Sequence, residues 1–62
     1  MQEIWIVWEY DSGFGPEVYV YDVFTNENEA SKCAAVMNSK PNGLHYEVEK
    51  FNAHSRYIPD ND

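Results

Sequence analysis

Residues 3–24, EIWIVWEYDSGFGPEVYVYDVF, decide the fold, because they contain two strand-like segments separated by a short turn sequence. Residues 3–10 and 17–24 are rich in β-branched and aromatic side chains, which favour strands. The segment between them, DSGFGP, contains glycines and a proline, which end strands and form turns. Because the connection is short, we predict that the two strands form an antiparallel hairpin.

The segment after the hairpin, TNENEASKCAAVMNSK at residues 25–40, has the pattern of a capped amphipathic helix. Thr25 or Asn26 can cap its start. With Asn26 as the cap, Glu29 takes the third helical position, where it can complete a capping box. The sequence NSKPNG then stops the helix. Apolar residues at the spacing i, i+3, i+4 and i+7 form one stripe, namely Ala30, Cys33, Ala34 and Met37.

Residues 44–51, LHYEVEKF, alternate between apolar and polar, which is typical of a half-buried strand. This third strand can pair antiparallel with the first strand, in order 2-1-3, or join the second through a right-handed parallel crossover. We predict order 2-1-3, because the first strand is the most continuously apolar segment and belongs in the centre. The predicted fold class is α+β. It is a ββαβ domain over residues 1–52, with a three-stranded antiparallel sheet and one helix on one face, followed by a polar, frayed tail at 53–62.

The first two strands carry apolar side chains on both faces, although a single helix can cover only one face. Alternation places Ile4, Ile6 and Trp8 on one face and Trp5 and Val7 on the other. Whichever face the helix covers, bulky apolar groups remain, and monomers rarely leave large apolar patches bare. The chain has one cysteine, so no internal disulfide can stabilise so small a domain. We therefore expect a homodimer or a partner docked on the uncovered face.

The charge is uneven along the chain. The 4 basic and 11 acidic residues give a net charge of −7, and residues 1–31 contain no Lys or Arg. A protein that binds nucleic acid or an anionic membrane directly needs a basic surface, so we expect neither as a partner. The chain has no apolar run of transmembrane length, and its first residues lack the basic start of a signal peptide. The expected location is the cytoplasm, which suits a free cysteine.

Few residues are candidates for chemistry. His45 and Glu47 share a strand face, which we interpret as a solvated face. Cys33 lies on the apolar stripe and is interpreted as a small buried hydrophobe, since a nucleophilic thiol needs an exposed, electropositive setting. The glycines of residues 13–15 join two strands among carboxylates, an environment that repels phosphate. We predict no enzyme, no metal site and no cofactor.

Five tyrosines and two tryptophans are a high density for 62 residues, and these residue types are enriched in interface hot spots. Beside acidic groups they suit a basic protein surface. A protein that binds nucleic acid presents such a surface, and carboxylates can occupy its phosphate sites in mimicry of nucleic acid. The alternative is an oligomeric sponge that sequesters a nucleotide-like ligand between aromatic rings, which the lack of basic residues in the hairpin opposes. The predicted partner-binding residues are Trp5, Glu9, Asp11, Phe14, Glu17, Tyr19 and Tyr21.

Over about residues 3–51 the sequence resembles a group of small uncharacterised domains encoded by bacteria and phages. The resemblance depends on the aromatic-rich strand at 5–10, the turn glycines, the pair Val23-Phe24, Thr25, and the acidic helix start at 27–30. It implies the ββαβ fold and a phage or mobile-element setting, and it assigns no functional residue. By analogy with small acidic proteins from that setting, we hypothesise an inhibitor of a host defence protein that acts as a small dimer.

Overall fold

The computed structural model describes residues 2–11 and 17–54. They form β1 (Gln2–Asp11), β2 (Glu17–Phe24), α1 (Glu27–Asn38) and β3 (Leu44–Ala53). The sheet order is β2-β1-β3, and both pairings are antiparallel. The predicted α+β fold with order 2-1-3 is confirmed, and β3 does not join β2 through a parallel crossover. The predicted tail lies, from residue 55 onward, outside the described residues.

The start of α1 follows from a side-chain cap. Asn26 has an extended backbone, and its Oδ1 accepts a hydrogen bond of 3.1 Å from the backbone N–H of Glu29. This bond satisfies one of the donors that a helix start leaves without an intrahelical partner. The Glu29 carboxylate lies 3.4 Å from Lys32 Nζ. The structure therefore shows the Asn26 half of the predicted capping box, with the glutamate paired along the helix.

The helix packs its stripe of small residues against one side of the sheet. Ala30 and Ala34 are buried there with Val7 of β1 and Tyr46 of β3. This packing settles which face of β1 is covered, because Trp5 alternates with Val7 and packs against the same core. We call this side of the sheet the helix side, and the opposite side, which carries the other residues of β1, the open face.

A bulge in β2 decides which of its residues reach the open face. Val7 pairs with Asp22 and Trp8 pairs with Val20, which leaves Tyr21 as an extra residue in β2. An extra residue shifts the alternation of side chains by one position. Because directly opposite residues share a face, Val20 lies on the open face with Trp8. Without the bulge, Val20 would lie on the helix side.

The open face consequently carries an apolar strip that continues across β1 and β2. Its valines on β2 are about half exposed, with Val18 at 47% and Val20 at 52%. The predicted surplus of apolar side chains on the face that the helix leaves uncovered is confirmed. The strip consists of Ile4, Ile6, Trp8, Tyr10, Val18, Val20 and Val23, with Phe51 of β3 opposite Ile4.

The connection from α1 to β3 depends on two residues of the loop at 39–43. Asn42 Oδ1 accepts a hydrogen bond of 2.9 Å from the backbone N–H of Leu44. Gly43 has a φ of 78°, a left-handed conformation that glycine adopts without steric cost. β3 then continues to Ala53 rather than ending at residue 51 as predicted, because Gln2 of β1 extends the pairing to Ala53.

Asn38, the last residue of α1, fastens the helix to the outer edge of β3. Its Nδ2 donates to the carbonyl oxygen of Tyr46 at 2.9 Å, and its Oδ1 accepts from the backbone N–H of Tyr46 at 2.8 Å. One side-chain amide therefore makes the two hydrogen bonds that a neighbouring strand would make at this point.

We expect Asn38→Ala to lower the free energy of unfolding by about 2 kcal/mol, because it leaves a backbone donor and acceptor of Tyr46 without partners. For a domain of this size, that loss lowers Tm by about 10 °C. Thermal unfolding followed by circular dichroism measures the change. Asn28→Ala, at an exposed position of the same helix, is the control and should stay within about 0.5 kcal/mol of wild type. Equal losses in the two variants would contradict the proposed role of the Asn38 amide.

Candidate functional site

Carboxylates and tyrosines converge on the helix side, toward the hairpin end of β1 and β2. Glu9 stands between Tyr19 of β2 and Tyr46 of β3, and Asp11 stands opposite Glu17. Directly opposite residues on one face lie within side-chain contact. We call this group the hairpin cluster, and it consists of Glu9, Asp11, Glu17, Tyr19, Tyr21 and Tyr46.

Hydrogen bonds and ring packing hold the cluster together. The Tyr19 hydroxyl donates to Glu17 Oε1, and the Tyr46 hydroxyl donates to Glu9 Oε2, both at 2.9 Å. The rings of Tyr21 and Tyr46 meet edge to face, with centroids 5.3 Å apart, an arrangement that aromatic pairs favour. Tyr46 is buried, whereas Tyr19 is 54% and Tyr21 is 43% exposed. The cluster therefore has a buried tyrosine, Tyr46, at its base and two accessible tyrosine rings, Tyr19 and Tyr21, at its rim.

The carboxylates of the cluster act together on Tyr19. The hydrogen bond to Glu17 raises the pKa of Tyr19 above 10.0, and the negative charges of Glu17, Asp11 and Glu9 raise it further. Burial raises the pKa of Tyr46, and its hydrogen bond to Glu9 adds to the effect. The hydroxyls stay protonated, and the site presents a concentrated negative field to solvent.

Two lysines of the described chain form ion pairs with carboxylates outside the hairpin cluster. Lys32 Nζ lies 3.4 Å from Glu29 on the helix, and Lys50 Nζ lies 3.2 Å from Glu3 near the other end of the sheet. These pairs compensate charge away from the hairpin. Three of the seven acidic residues in 1–31 lie in the cluster, and Asp22 and Glu27 are exposed outside it.

The structure brings most of the predicted partner-binding residues together, namely Glu9, Asp11, Glu17, Tyr19 and Tyr21. It does not bring Trp5 into the cluster, because this side chain is half-buried against the core. Phe14 lies outside the described residues. Sequence reasoning missed Tyr46. Its position between Leu44 and Val48 predicted a buried face, but its contact with Glu9 depends on the register between β1 and β3.

The open face carries a separate set of polar side chains that bond with one another. Trp8 Nε1 donates to Glu49 Oε1 at 3.0 Å. His45 Nε2 lies 2.8 Å from Glu47 Oε2, with both side chains more than half exposed, as expected of a solvated strand face. The Tyr10 and His45 rings lie 5.8 Å apart. This row along β3 borders the apolar strip.

The chemistry-bearing side chains outside the cluster have structural surroundings. Cys33 is half-buried against the core, and burial, assisted by the charge of Asp22, raises the pKa of its thiol. A raised pKa disfavours the nucleophilic thiolate. Within residues 2–11 and 17–54, no three His, Cys, Asp or Glu side chains are grouped to hold a metal ion. In the same part of the chain, no helix has the length and apolar character needed to cross a membrane.

A shallow groove between α1 and the end of β2 offers about 240 Å³. This volume is below the roughly 300–1,000 Å³ typical of small-molecule sites. Its walls are mainly apolar, with one charged pair at the rim. The lining residues are Phe24, Glu29, Lys32, Cys33, Val36 and Met37.

No protein-family model, curated protein or solved structure matches this chain. The resemblance to small phage-encoded domains therefore stays a prediction, and so does the inhibition of a host defence protein. Function has to be argued from the geometry and charge of the site.

We expect Glu17→Gln to lower the pKa of Tyr19, because it removes the negative charge of Glu17 and leaves only a neutral amide oxygen to accept the hydrogen bond. Tyrosinate absorbance, titrated through alkaline pH, measures the change. Glu27→Gln, in the first turn of α1, removes the same charge elsewhere and is the control. A Glu17→Gln curve that superimposes on wild type would contradict this arrangement of the cluster.

The raised pKa values also fix the sign of the pH dependence. A tyrosine whose pKa is higher in the folded state holds its proton more tightly there than in the unfolded chain. Its contribution to stability is full below the unfolded pKa, near 10.0, and is lost as pH rises through the folded pKa. We expect the denaturation midpoint in urea to fall above pH 10, and to fall less in Tyr19→Phe.

Proposed function

We propose that this protein is a non-catalytic binding module that holds a basic protein surface in its hairpin cluster. The observation that supports the proposal is the convergence of three carboxylates on an exposed tyrosine, Tyr19, whose pKa responds to all three charges. Carboxylates supply the opposite charge for Arg and Lys, and tyrosine faces add cation–π attraction. Tyrosine is also enriched among the residues that dominate binding energy.

An arginine suits this arrangement better than a lysine. Its planar guanidinium can donate two parallel hydrogen bonds to one carboxylate while stacking on an aromatic ring. In the cluster, the Tyr19 hydroxyl already donates to Glu17 Oε1 at 2.9 Å, which holds the ring and the carboxylate side by side. The buried Tyr46 hydroxyl likewise donates to Glu9 Oε2 at 2.9 Å. Groups fixed before binding lose less conformational entropy when the partner arrives.

The proposed partner class is a protein with exposed arginines of the kind that bind phosphate. The carboxylates of Asp11 and Glu17 stand opposite each other on neighbouring strands, and can occupy positions that phosphates of a nucleic acid would take. A net charge of −7 speeds the encounter with such a partner through long-range attraction. We propose that the encounter takes place in the cytoplasm, where Cys33 stays a free thiol.

The test uses an arginine-rich peptide as the probe, with a lysine peptide of equal charge beside it, and isothermal titration calorimetry as the measurement. We expect the protein to bind both peptides, to prefer the arginine peptide, and to lose affinity as salt rises. The double variant Glu9→Gln/Glu17→Gln should weaken binding of the arginine peptide about tenfold, or 1.4 kcal/mol.

The matched control is Glu47→Gln/Glu49→Gln, which changes the net charge equally but on the open face. Its affinity for the peptide should stay close to wild type. Equal losses in the two double variants would show that net charge alone attracts the peptide, and would contradict a site at the hairpin cluster. Absence of peptide binding at low salt would end the proposal.

A further inference from the structure

The two outer edges of the sheet are protected very differently. An exposed edge strand is a template for pairing with another chain, and proteins usually block it with charges, bulges or covering groups. On β3, the Asn38 amide occupies the backbone N–H and C=O of Tyr46, near the start of the strand. The same strand carries charged or titratable side chains along its length, namely His45, Glu47, Glu49 and Lys50.

The β2 edge is open over the segment Glu17–Tyr21. Every residue of this segment is exposed, and it contains no lysine, proline or glycine. Its central residue, Tyr19, is 54% exposed. The bulge at Tyr21 ends the regular alternation of the strand, and Asp22 Oδ1 accepts a 2.8 Å hydrogen bond from the backbone N–H of Val23. The template therefore has a defined length and ends at the bulge.

We propose that a second copy of this chain pairs with Glu17–Tyr21, antiparallel and about a two-fold axis through Tyr19. This pairing joins the two three-stranded sheets into one continuous sheet. The proposal goes beyond the binding function proposed above and does not depend on it. It places the contact between copies at a strand edge, and the docking expected on the uncovered face stays a prediction.

Side-chain faces support this register. With the axis at Tyr19, Glu17 stands opposite Tyr21 of the other copy, and both lie on the helix side. Val18 then stands opposite Val20, and both lie on the open face. An axis at Val20 would bring Val18 opposite Asp22, across the bulge, where the alternation has shifted. The axis at Tyr19 therefore gives the longest matched pairing that the segment before the bulge allows.

Charge is compatible with the same arrangement. Each copy has a net charge of −7, so self-association must keep carboxylates apart. In the proposed register no two carboxylates are directly opposite, because Glu17 faces a tyrosine. The valines of both copies meet on the open face, which joins the two apolar strips and buries part of each. On the helix side the two hairpin clusters adjoin, so the dimer presents the cluster twice and can bind two basic groups of one partner.

Sedimentation equilibrium from micromolar to millimolar concentration tests the pairing, with no peptide present. We expect wild type to pass from monomer to dimer. Tyr19→Glu and Tyr19→Lys should each weaken self-association about tenfold or more, since each places two like charges opposite each other. A mixture of the two variants should restore association as a heterodimer, because position 19 faces itself only in this register. Val36→Glu, at a 52% exposed apolar position on α1, is the control and should dimerise like wild type.

A wild-type protein that stays monomeric throughout this range overturns the proposal, as does a mixture that forms no heterodimer from folded variants. If circular dichroism shows that the charged variants are unfolded, a cysteine cross-link takes their place. Tyr19→Cys in a Cys33→Ala background should oxidise to a covalent dimer, because facing residues of antiparallel strands lie within disulfide distance. Val36→Cys in the same background should not cross-link. Failure of the cross-link at position 19, or equal cross-linking at both positions, also overturns the pairing.

Discussion

Ala30 and Ala34 constrain the whole molecule, because their small side chains let α1 lie directly on Val7 and Tyr46. Close approach gives a tightly packed contact, but a stripe this small packs mainly on β3 and β1 and covers little of β2. β2 is left exposed along nearly its full length. A chain of 62 residues buries a modest fraction of its surface in any case, so association that buries more apolar area adds stability it otherwise lacks.

Tyr46 connects this small core to the candidate site. Its ring is part of the core, its hydroxyl donates to Glu9, and its backbone is held by Asn38. The position of the Glu9 carboxylate is therefore set by the same residue that the helix holds in place. Substitutions of Tyr46 would disturb packing and binding together, whereas Glu17 and Tyr19 lie at the exposed rim and report on the site more directly.

Local patterns in the sequence predicted the parts of the fold that local chemistry controls. The Asn26 cap, the apolar stripe of α1 and the alternation in β3 each depend on neighbours within a few residues, and all three agree with the structure. The central place of β1 followed from its apolar content. The bulge at Tyr21 could not be predicted, because the sequence around it contains no glycine or proline and the bulge exists only through pairing with β1. The pairing register of the strands could not be predicted from the sequence. For this reason Trp5, which packs against the core, was predicted as a binding residue, and the contact between Tyr46 and Glu9 was not predicted.

Screening by salt separates the two kinds of association that this surface supports. Self-pairing brings together two chains of the same sign, so added salt weakens their repulsion and favours the dimer, in addition to the apolar contact between the valines of β2. Binding of a basic partner brings together opposite signs, so added salt weakens it. Glu17, the exposed carboxylate of the hairpin cluster, lies on β2 itself and contributes to both effects. Low salt therefore favours binding of the basic partner, and high salt favours pairing of the two copies. Opposite salt slopes would thus distinguish the pairing of two copies at the edge of β2 from the binding of a basic partner at the hairpin cluster.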